Sequence, residues 1–306
     1  MSAATGARFE FGKNWSRFLE RVDEQRIGEA EASLRDWLEA DSLAGRSFLD
    51  IGSGSGLFSL AARRLGATVH SFDYDSHSVA CTAELRRRYR PEDAGWTVER
   101  GDVLDGDYLA RLGRFDVVYS WGVLHHTGAM WRALQNATSA VKPGGVLYIA
   151  IYNDQGWRSR VWRVVKRTYN LLPGGLRWLV LGPVVVQQKW RMVVHDARRG
   201  DPLRRWRANA GGRGMSMWTD LVDWVGGYPF EVAAPGAVVA FCEARGFRLR
   251  RLFNAGAGPG CNQFTFEAAE TTVRAGAEPM LDSRRAPRRQ RPGAATDRKQ
   301  PDPTSI

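Results

Sequence analysis

Cysteine is scarce in this chain, and the three present, Cys81, Cys242 and Cys261, are scattered without a C-x-x-C pair. An odd number at such spacings excludes a disulfide framework and a zinc ribbon, which leaves packing as their role. Long hydrophobic runs are missing as well. The longest, Trp178 to Val186 (WLVLGPVVV), falls far short of the roughly 18–20 residues that cross a bilayer, so no transmembrane helix is expected. The N-terminal MSAATGARFEFGKNW has no basic segment leading into an apolar stretch and a small-residue cleavage site; this argues against a secretory signal and predicts a cytoplasmic chain. Histidine is sparse: His70, His77 and His195 have no carboxylate or cysteine at metal-ligand spacing, and no metal site is expected.

What is present is an ordinary globular composition, 306 residues with 43% hydrophobic and 25% charged, enough for one large α/β domain with an appendage. The net charge of +11 suggests nucleic acid only until it is located. Between Gln155 and Met215 fourteen Lys or Arg face only Asp196 and Asp201, which accounts for about the whole excess. The basic character therefore belongs to one later segment and not to the near-neutral first half.

From Arg46 to Tyr152 short β-type runs alternate with helix-type runs, the rhythm of a doubly wound parallel sheet. Strands are expected at 47–52, 68–73, 96–101, 115–120 and 145–152, and after a break at 247–254 and 262–268. Asp75 or Ser76 caps the helix that stops before Pro91, and another runs from near Thr127 to the Lys142-Pro143-Gly144-Gly145 turn. Pro235 and Gly246 bracket a helix between them. The expected organisation is an N-terminal helical segment (1–45), a core (46–152), a basic, Trp-rich and mainly helical cap inserted after the fifth strand (153–233), the last helix and two strands of the core (234–270), and a tail (271–306) too poor in large apolar residues to order itself.

The chemistry-bearing residues cluster at strand ends. FLDIGSGSGLF supplies Asp50, Gly52, Gly54 and Gly56 just before a helix, where glycine lets the backbone turn sharply and approach a ligand. A dinucleotide G-x-G-x-x-G fingerprint would need glycine where Leu57 stands, which disfavours a nicotinamide oxidoreductase. Asp73 and Asp102 end the next two strands, where ligands of open α/β sheets bind. Asp73 is placed to accept from two ribose hydroxyls, Asp102 from an adenine amino group, and Asp50 to face a positively charged amino group directly or through water.

In DIGSGSG (50–56), Asp73, Gly101-Asp102, FDVVYSWGVLHH (115–126) and KPGG (142–145), the chain resembles the class I S-adenosylmethionine-dependent methyltransferases, strongly over 46–152 and weakly through the last two strands. The resemblance implies a Rossmann-like seven-stranded sheet with helices on both faces and its last strand antiparallel, S-adenosyl-L-methionine over the glycine loop, and the transferable methyl facing the end of the fourth strand. Within the class the chain looks most like the small-molecule branch that includes ubiquinone-biosynthesis O-methyltransferases. Those enzymes tend to carry an acidic residue beside a single histidine after the fourth strand, whereas this chain has LHHT, so no shared metal-assisted mechanism is carried over.

Methyl transfer from a sulfonium needs an acceptor held in line in a water-poor pocket, and a hydroxyl acceptor needs a base. His126, ahead of His125, is the expected base, because both follow the strand whose end faces the methyl. The competing role for the pair is packing on, or capping, the following helix. Trp15, beside Asn14, is a candidate to fold over the cofactor and stabilise its sulfonium by cation–π attraction, and Trp121 is a similar candidate on the methyl side.

In the cap, Trp157, Val161, Val164/Val165 and Tyr169 follow helical spacing with Arg158, Arg160, Arg163, Lys166 and Arg167 around them. Seven of the twelve tryptophans fall between Trp157 and Trp224. Three uses compete: a substrate chamber with its arginines solvated, docking on anionic membrane by an enzyme with a lipid-tailed substrate, and RNA binding, which ranks last because no RNA-binding module is recognisable. Trp218, Asp220, Asp223, Tyr228 and Glu231 are candidates for the substrate side. The expected function is methyl transfer to an oxygen, ahead of nitrogen, on a small or lipid-linked acceptor. An RNA-modifying methyltransferase and a non-catalytic cofactor-binding module are the alternatives.

Overall fold

The computed structural model describes residues 19, 22–197, 224–256, 258 and 260–270. In chain order the elements are α1 (Glu24–Leu38), β1 (Ser47–Ile51), α2 (Leu57–Arg64), β2 (Thr68–Asp73), α3 (Ser76–Tyr89), β3 (Trp96–Arg100), α4 (Gly106–Leu112), β4 (Phe115–Trp121), α5 (Met130–Ser139), β5 (Val141–Tyr152), α6 (Trp157–Leu171), α7 (Trp178–Ala197), α8 (Pro235–Glu243), β6 (Phe247–Phe253) and β7 (Cys261–Ala268). The strands form one seven-stranded sheet in the order β3-β2-β1-β4-β5-β7-β6. All pairs from β3 to β5 are parallel, and β7 runs antiparallel to both of its neighbours. The order reverses between β1 and β4, and ligands of doubly wound sheets bind outside the carboxyl ends at such a point.

Side-chain alternation builds two cores, one on each face. Leu49, Ile51, Val118, Leu147 and Ile149 pack under α5 and α8, while Phe48, Val69, Val117 and Tyr148 pack under α1, α2 and α3. Residues two apart share a face, so Asp50 follows Phe48 onto the apolar side that meets α2. Asp75 caps α3 by accepting from the His77 amide, and Pro235 opens α8.

The predicted strands are all present, but two boundaries differ. The helix expected from near Thr127 begins at Met130, because Leu124–His126 forms a separate 3-10 turn first. The Lys142-Pro143-Gly144-Gly145 turn ends no helix; α5 stops at Ser139 and the turn lies within β5, where the register with β4 slips between Phe115–Val141 and Val117–Val146. The Lys142 ammonium donates to Asp116 (2.8 Å) and Ser47 (3.1 Å), latching the amino-terminal ends of β1, β4 and β5.

After β5 the chain leaves the sheet at Asn153, which bridges Ala233 on the return. Asn153 Nδ2 donates to the Gly256 carbonyl (2.5 Å), and its Oδ1 accepts from Asn262 of β7 (3.1 Å), so the root of this excursion is tied to the core. Tyr169, Leu181, Val184 and Val225, with Trp162 and Trp224 against them, form a third apolar cluster between α6, α7 and the returning segment. The buried face of α6 is rotated away from the one its apolar spacing predicts, and of that stripe only Tyr169 is buried. Ser159, Lys166 and Tyr169 are buried, whereas Trp157 (65% exposed), Val161 (48%) and Val164 (64%) face outward among arginines. The reason is the partner: the segment 224–231 offers backbone carbonyls to α6, and Lys166, Arg163 and Asn170 donate to Trp224, Phe230 and Gly226. Trp15, the tail, and Trp218, Asp220 and Asp223 lie outside the described residues.

Candidate active site

The loop after β1 turns on three glycines with positive φ: Gly52 (80°), Gly54 (54°) and Gly56 (82°). An L side chain is strained there, and at Gly52 space is lacking too, since a Cβ would meet the Val123 methyls at 2.5 Å. The glycine loop thus lies directly against the turn that carries the histidines. Gly52 and Ser53 donate to the Phe72 carbonyl (2.8 and 3.1 Å), which registers the loop on the end of β2.

Asp73 at that end accepts from the Gly54 amide (3.0 Å) and the Asp75 amide (2.9 Å). Its carboxylate is half-buried and oriented by the loop whose shape it in turn holds. Asp102, after β3, accepts from the Leu104 amide (2.9 Å) and is likewise half-buried. Asp50 is different. It is 1% exposed and accepts from Ser59 Oγ (2.5 Å), which contacts Ser71 Oγ (2.7 Å), itself an acceptor from Trp96 Nε1 (2.8 Å). Burial raises its carboxyl to about 7 against the lowering Ser59 bond, and Asp73 adds to the rise. This serine chain escaped the sequence reading; its trace there is polar Ser59 and Ser71 at positions that the helix and strand periods assign to the interior.

At the end of β4, Trp121 is half-buried against the α1–α3 side of the core. The 3-10 turn that follows holds the two histidines in different states. His126 Nδ1 lies 2.6 Å from the Pro229 carbonyl, so Nδ1 carries a proton and donates. His125 is fully buried, and its Nδ1 accepts from the Tyr152 amide (3.3 Å), so its proton sits on Nε2, which has no hydrogen-bond partner among the described residues. Burial, with His126 and Lys166 close by, holds the His125 pKa well below the ordinary imidazole value. Glu231 accepts from the Met130 amide (3.0 Å) and the Glu231 amide donates to the His125 carbonyl (3.0 Å), stitching the returning segment 228–231 onto the histidine turn. Burial raises the Glu231 carboxyl. Tyr228 is half-buried in the same segment.

The geometry therefore brings Asp50, Gly52, Gly54, Gly56, Asp73, Asp102, Trp121, His125 and His126 to the carboxyl ends of β1 to β4, the fold's ligand-binding edge. The donor and acceptor set suits S-adenosyl-L-methionine. A loop that turns on three positive-φ glycines, two half-buried carboxylates at successive strand ends for hydroxyl and amino donors, and a buried carboxyl able to ionise against a cation match a nucleoside carrying an amino acid and a sulfonium.

A seven-stranded sheet of this order, with this glycine loop and these acidic strand ends, defines a class I S-adenosylmethionine-dependent methyltransferase. The family model described as a methyltransferase domain matches residues 22–219, and the chain belongs to that family. It is 32% identical over 197 residues to a ubiquinone biosynthesis O-methyltransferase of Methylobacterium sp. (strain 4-46), covering 57% of this chain and 77% of that one. A protein of the same name from Coxiella burnetii (strain Dugway 5J108-111) is 29% identical over 136 residues, or 44% of this chain and 56% of its own length. Among solved structures, magnesium protoporphyrin IX methyltransferase from Synechocystis PCC 6803 with bound SAH aligns with a TM-score of 0.48 at 14% identity, covering 80% of this chain and 83% of the other.

Proposed function

We propose that this enzyme transfers the methyl group of S-adenosyl-L-methionine to an oxygen of a small or lipid-linked acceptor. The observation that carries the choice of oxygen is the placement of His126: its Nδ1–H donates to the Pro229 carbonyl at the end of β4, so in the neutral ring Nε2 is the nitrogen that can take the proton of a hydroxyl. The printed names of the relatives, ubiquinone biosynthesis O-methyltransferases, support the same choice. In this reading Gly52, Gly54 and Gly56 admit the cofactor, Asp73 takes the ribose hydroxyls, Asp102 the adenine amino group, and Asp50 balances the amino-acid end. When bound, the cofactor supplies a methyl already activated by its sulfonium. The protein's own task is to orient the acceptor, exclude water and move one proton to His126. Trp121 lines the methyl side. The segment 153–233 acts as a cap that selects the acceptor.

The outward face of the cap supports a lipid-linked acceptor reached at an anionic membrane. Trp157, Val161, Val164 and Leu171 on α6 and Trp178 and Val186 on α7 are exposed, interleaved with Arg158, Arg160 and Arg167. Apolar side chains set among arginines match a surface of acyl chains under anionic headgroups. The test incubates the full chain with methyl-labelled cofactor and host extract, then partitions the label. Label in the organic phase, with co-sedimentation on phosphatidylglycerol vesicles at low salt, is the expected result. Label in small polar products without vesicle binding retires the membrane half, and label on RNA replaces the acceptor class. Cofactor binding with no transfer into any fraction overturns the catalytic reading.

A further inference from the structure

The amino-terminal end of α5 is capped from a distance. Its N-cap residue, Ala129, has no side chain that can accept a hydrogen bond, so the first amides of the helix need another acceptor. Glu231 supplies it from 101 residues further along the chain. Its Oε2 accepts from the Met130 amide (3.0 Å), and its carboxylate also accepts from the Gly128 amide. The aligned peptide dipoles of a helix favour a carboxylate at this end as well.

Three successive residues of the returning segment thereby hold three different elements. Glu231 caps α5, and its own amide donates to the His125 carbonyl (3.0 Å). The Phe230 carbonyl accepts from Arg163 of α6 (3.3 Å), and the buried Phe230 ring packs against Tyr152 with centroids 5.4 Å apart. The Pro229 carbonyl accepts from His126 Nδ1 (2.6 Å), and the Pro229 ring lies over Gly128, where a Cβ would touch it at 3.4 Å. A backbone carbonyl has no rotamer of its own, so this one goes where residues 230 and 231 are anchored. Which imidazole nitrogen keeps the proton is set by the hydrogen bonds the ring makes. A histidine side chain in water prefers its proton on Nε2, and the Pro229 carbonyl imposes the opposite tautomer on His126.

We propose that Glu231 is a positioning residue: by capping α5 from the returning segment it holds the Pro229 carbonyl against His126 Nδ1, and so keeps Nε2 of the neutral ring as the nitrogen that takes a proton. The assignment rests on the reading of His126 as the base and names what keeps that base in its working tautomer. Glu231 takes no proton from the acceptor; it acts through His126.

The test labels the histidines of the full chain with nitrogen-15 and reads both ring nitrogens by long-range proton–nitrogen correlation at about pH 8, where an ordinary imidazole is neutral. S-adenosylhomocysteine is added in excess, and the His126 signals are those missing from His126→Ala. In the wild type Nδ1 has the shift of a protonated nitrogen and Nε2 that of an unprotonated one. Glu231→Ala moves both toward the opposite tautomer. It also lowers label transfer from methyl-labelled S-adenosylmethionine into host extract by about tenfold or more at saturating cofactor, with S-adenosylhomocysteine affinity unchanged. Glu231→Gln, whose amide oxygen still accepts a hydrogen bond, keeps most of the wild-type tautomer. The control against a purely structural role is Ala129→Ser in the Glu231→Ala background, which gives α5 a local cap. It recovers the melting temperature but neither the tautomer nor the turnover. The proposal is overturned if wild-type His126 is protonated on Nε2, if Glu231→Ala leaves both shifts in place, or if Ala129→Ser restores them. Turnover unchanged in His126→Ala counts instead against the base, and failure to bind S-adenosylhomocysteine against the methyltransferase reading; the nitrogen shifts judge Glu231 in either case.

Discussion

Replacing Gly52 with alanine would put a methyl group where two Val123 methyls already stand at 2.5 Å, on a backbone with φ of 80°. The left-handed conformation costs a non-glycine residue about 1–2 kcal/mol. Forcing a carbon into an occupied space costs a further ~1–3 kcal/mol. The sum, ~2–5 kcal/mol, corresponds to a melting temperature lower by roughly 4–20 °C for a domain of this size. The overlap and the backbone strain are separable. Val123→Ala removes the two colliding methyls, so Gly52→Ala should cost less in the Val123→Ala background by about the overpacking share. Because Gly54 and Asp73 hang on the same loop, weaker S-adenosylhomocysteine binding should accompany the loss of stability. Thermal unfolding and calorimetric titration of the four proteins measure both. If Gly52→Ala melts within a degree of wild type and binds the product equally well, the loop is not held between β1 and the histidine turn, and the cofactor cradle is misassigned.

Three further predictions concern the site. Asp73→Ala, which also releases the Gly54 and Asp75 amides, should weaken S-adenosylmethionine binding about 10–100-fold, the scale of a hydrogen bond to a charged acceptor; an unchanged Kd removes it from the cofactor site. His126→Ala should lower kcat by about 10²–10⁴-fold with cofactor affinity intact; turnover unchanged from wild type in both His126→Ala and His125→Ala at saturating cofactor eliminates the base. Asp50 holds its proton in the folded protein up to about 7 against 3.8 for an ordinary aspartate, so between those values the native state binds the extra proton and stability falls as pH rises. A cationic cofactor favours the ionised form, so S-adenosylmethionine affinity should tighten from about pH 6 to pH 8 with proton release, and Asp50→Asn should flatten both trends in calorimetry and thermal melts.

The sheet was legible because its signals are local. Period-2 apolar runs, Asp75 at a cap, Pro235 at a helix start and glycines where φ turns positive are properties of neighbouring residues, and they place the strands and bring Asp73, Asp102 and the glycine loop to one edge. Misplaced boundaries arose where two local signals compete. The Lys142-Pro143-Gly144-Gly145 turn reads as a helix stop, but pairing with β4 draws it into β5. The chemical state of the site was not legible. That Asp50 ends a buried serine chain, that His126 carries its proton toward Pro229 while His125 carries its own away from Tyr152, and that Lys166 points inward while Trp157 and Val164 point out all depend on groups distant in the chain. Residue types and their spacing set the strands, turns and ligand-bearing edge of this protein; only the tertiary structure decided protonation, tautomer and which face of the cap is inside, because burial and hydrogen-bond partners come from the packing of segments that sequence order keeps apart.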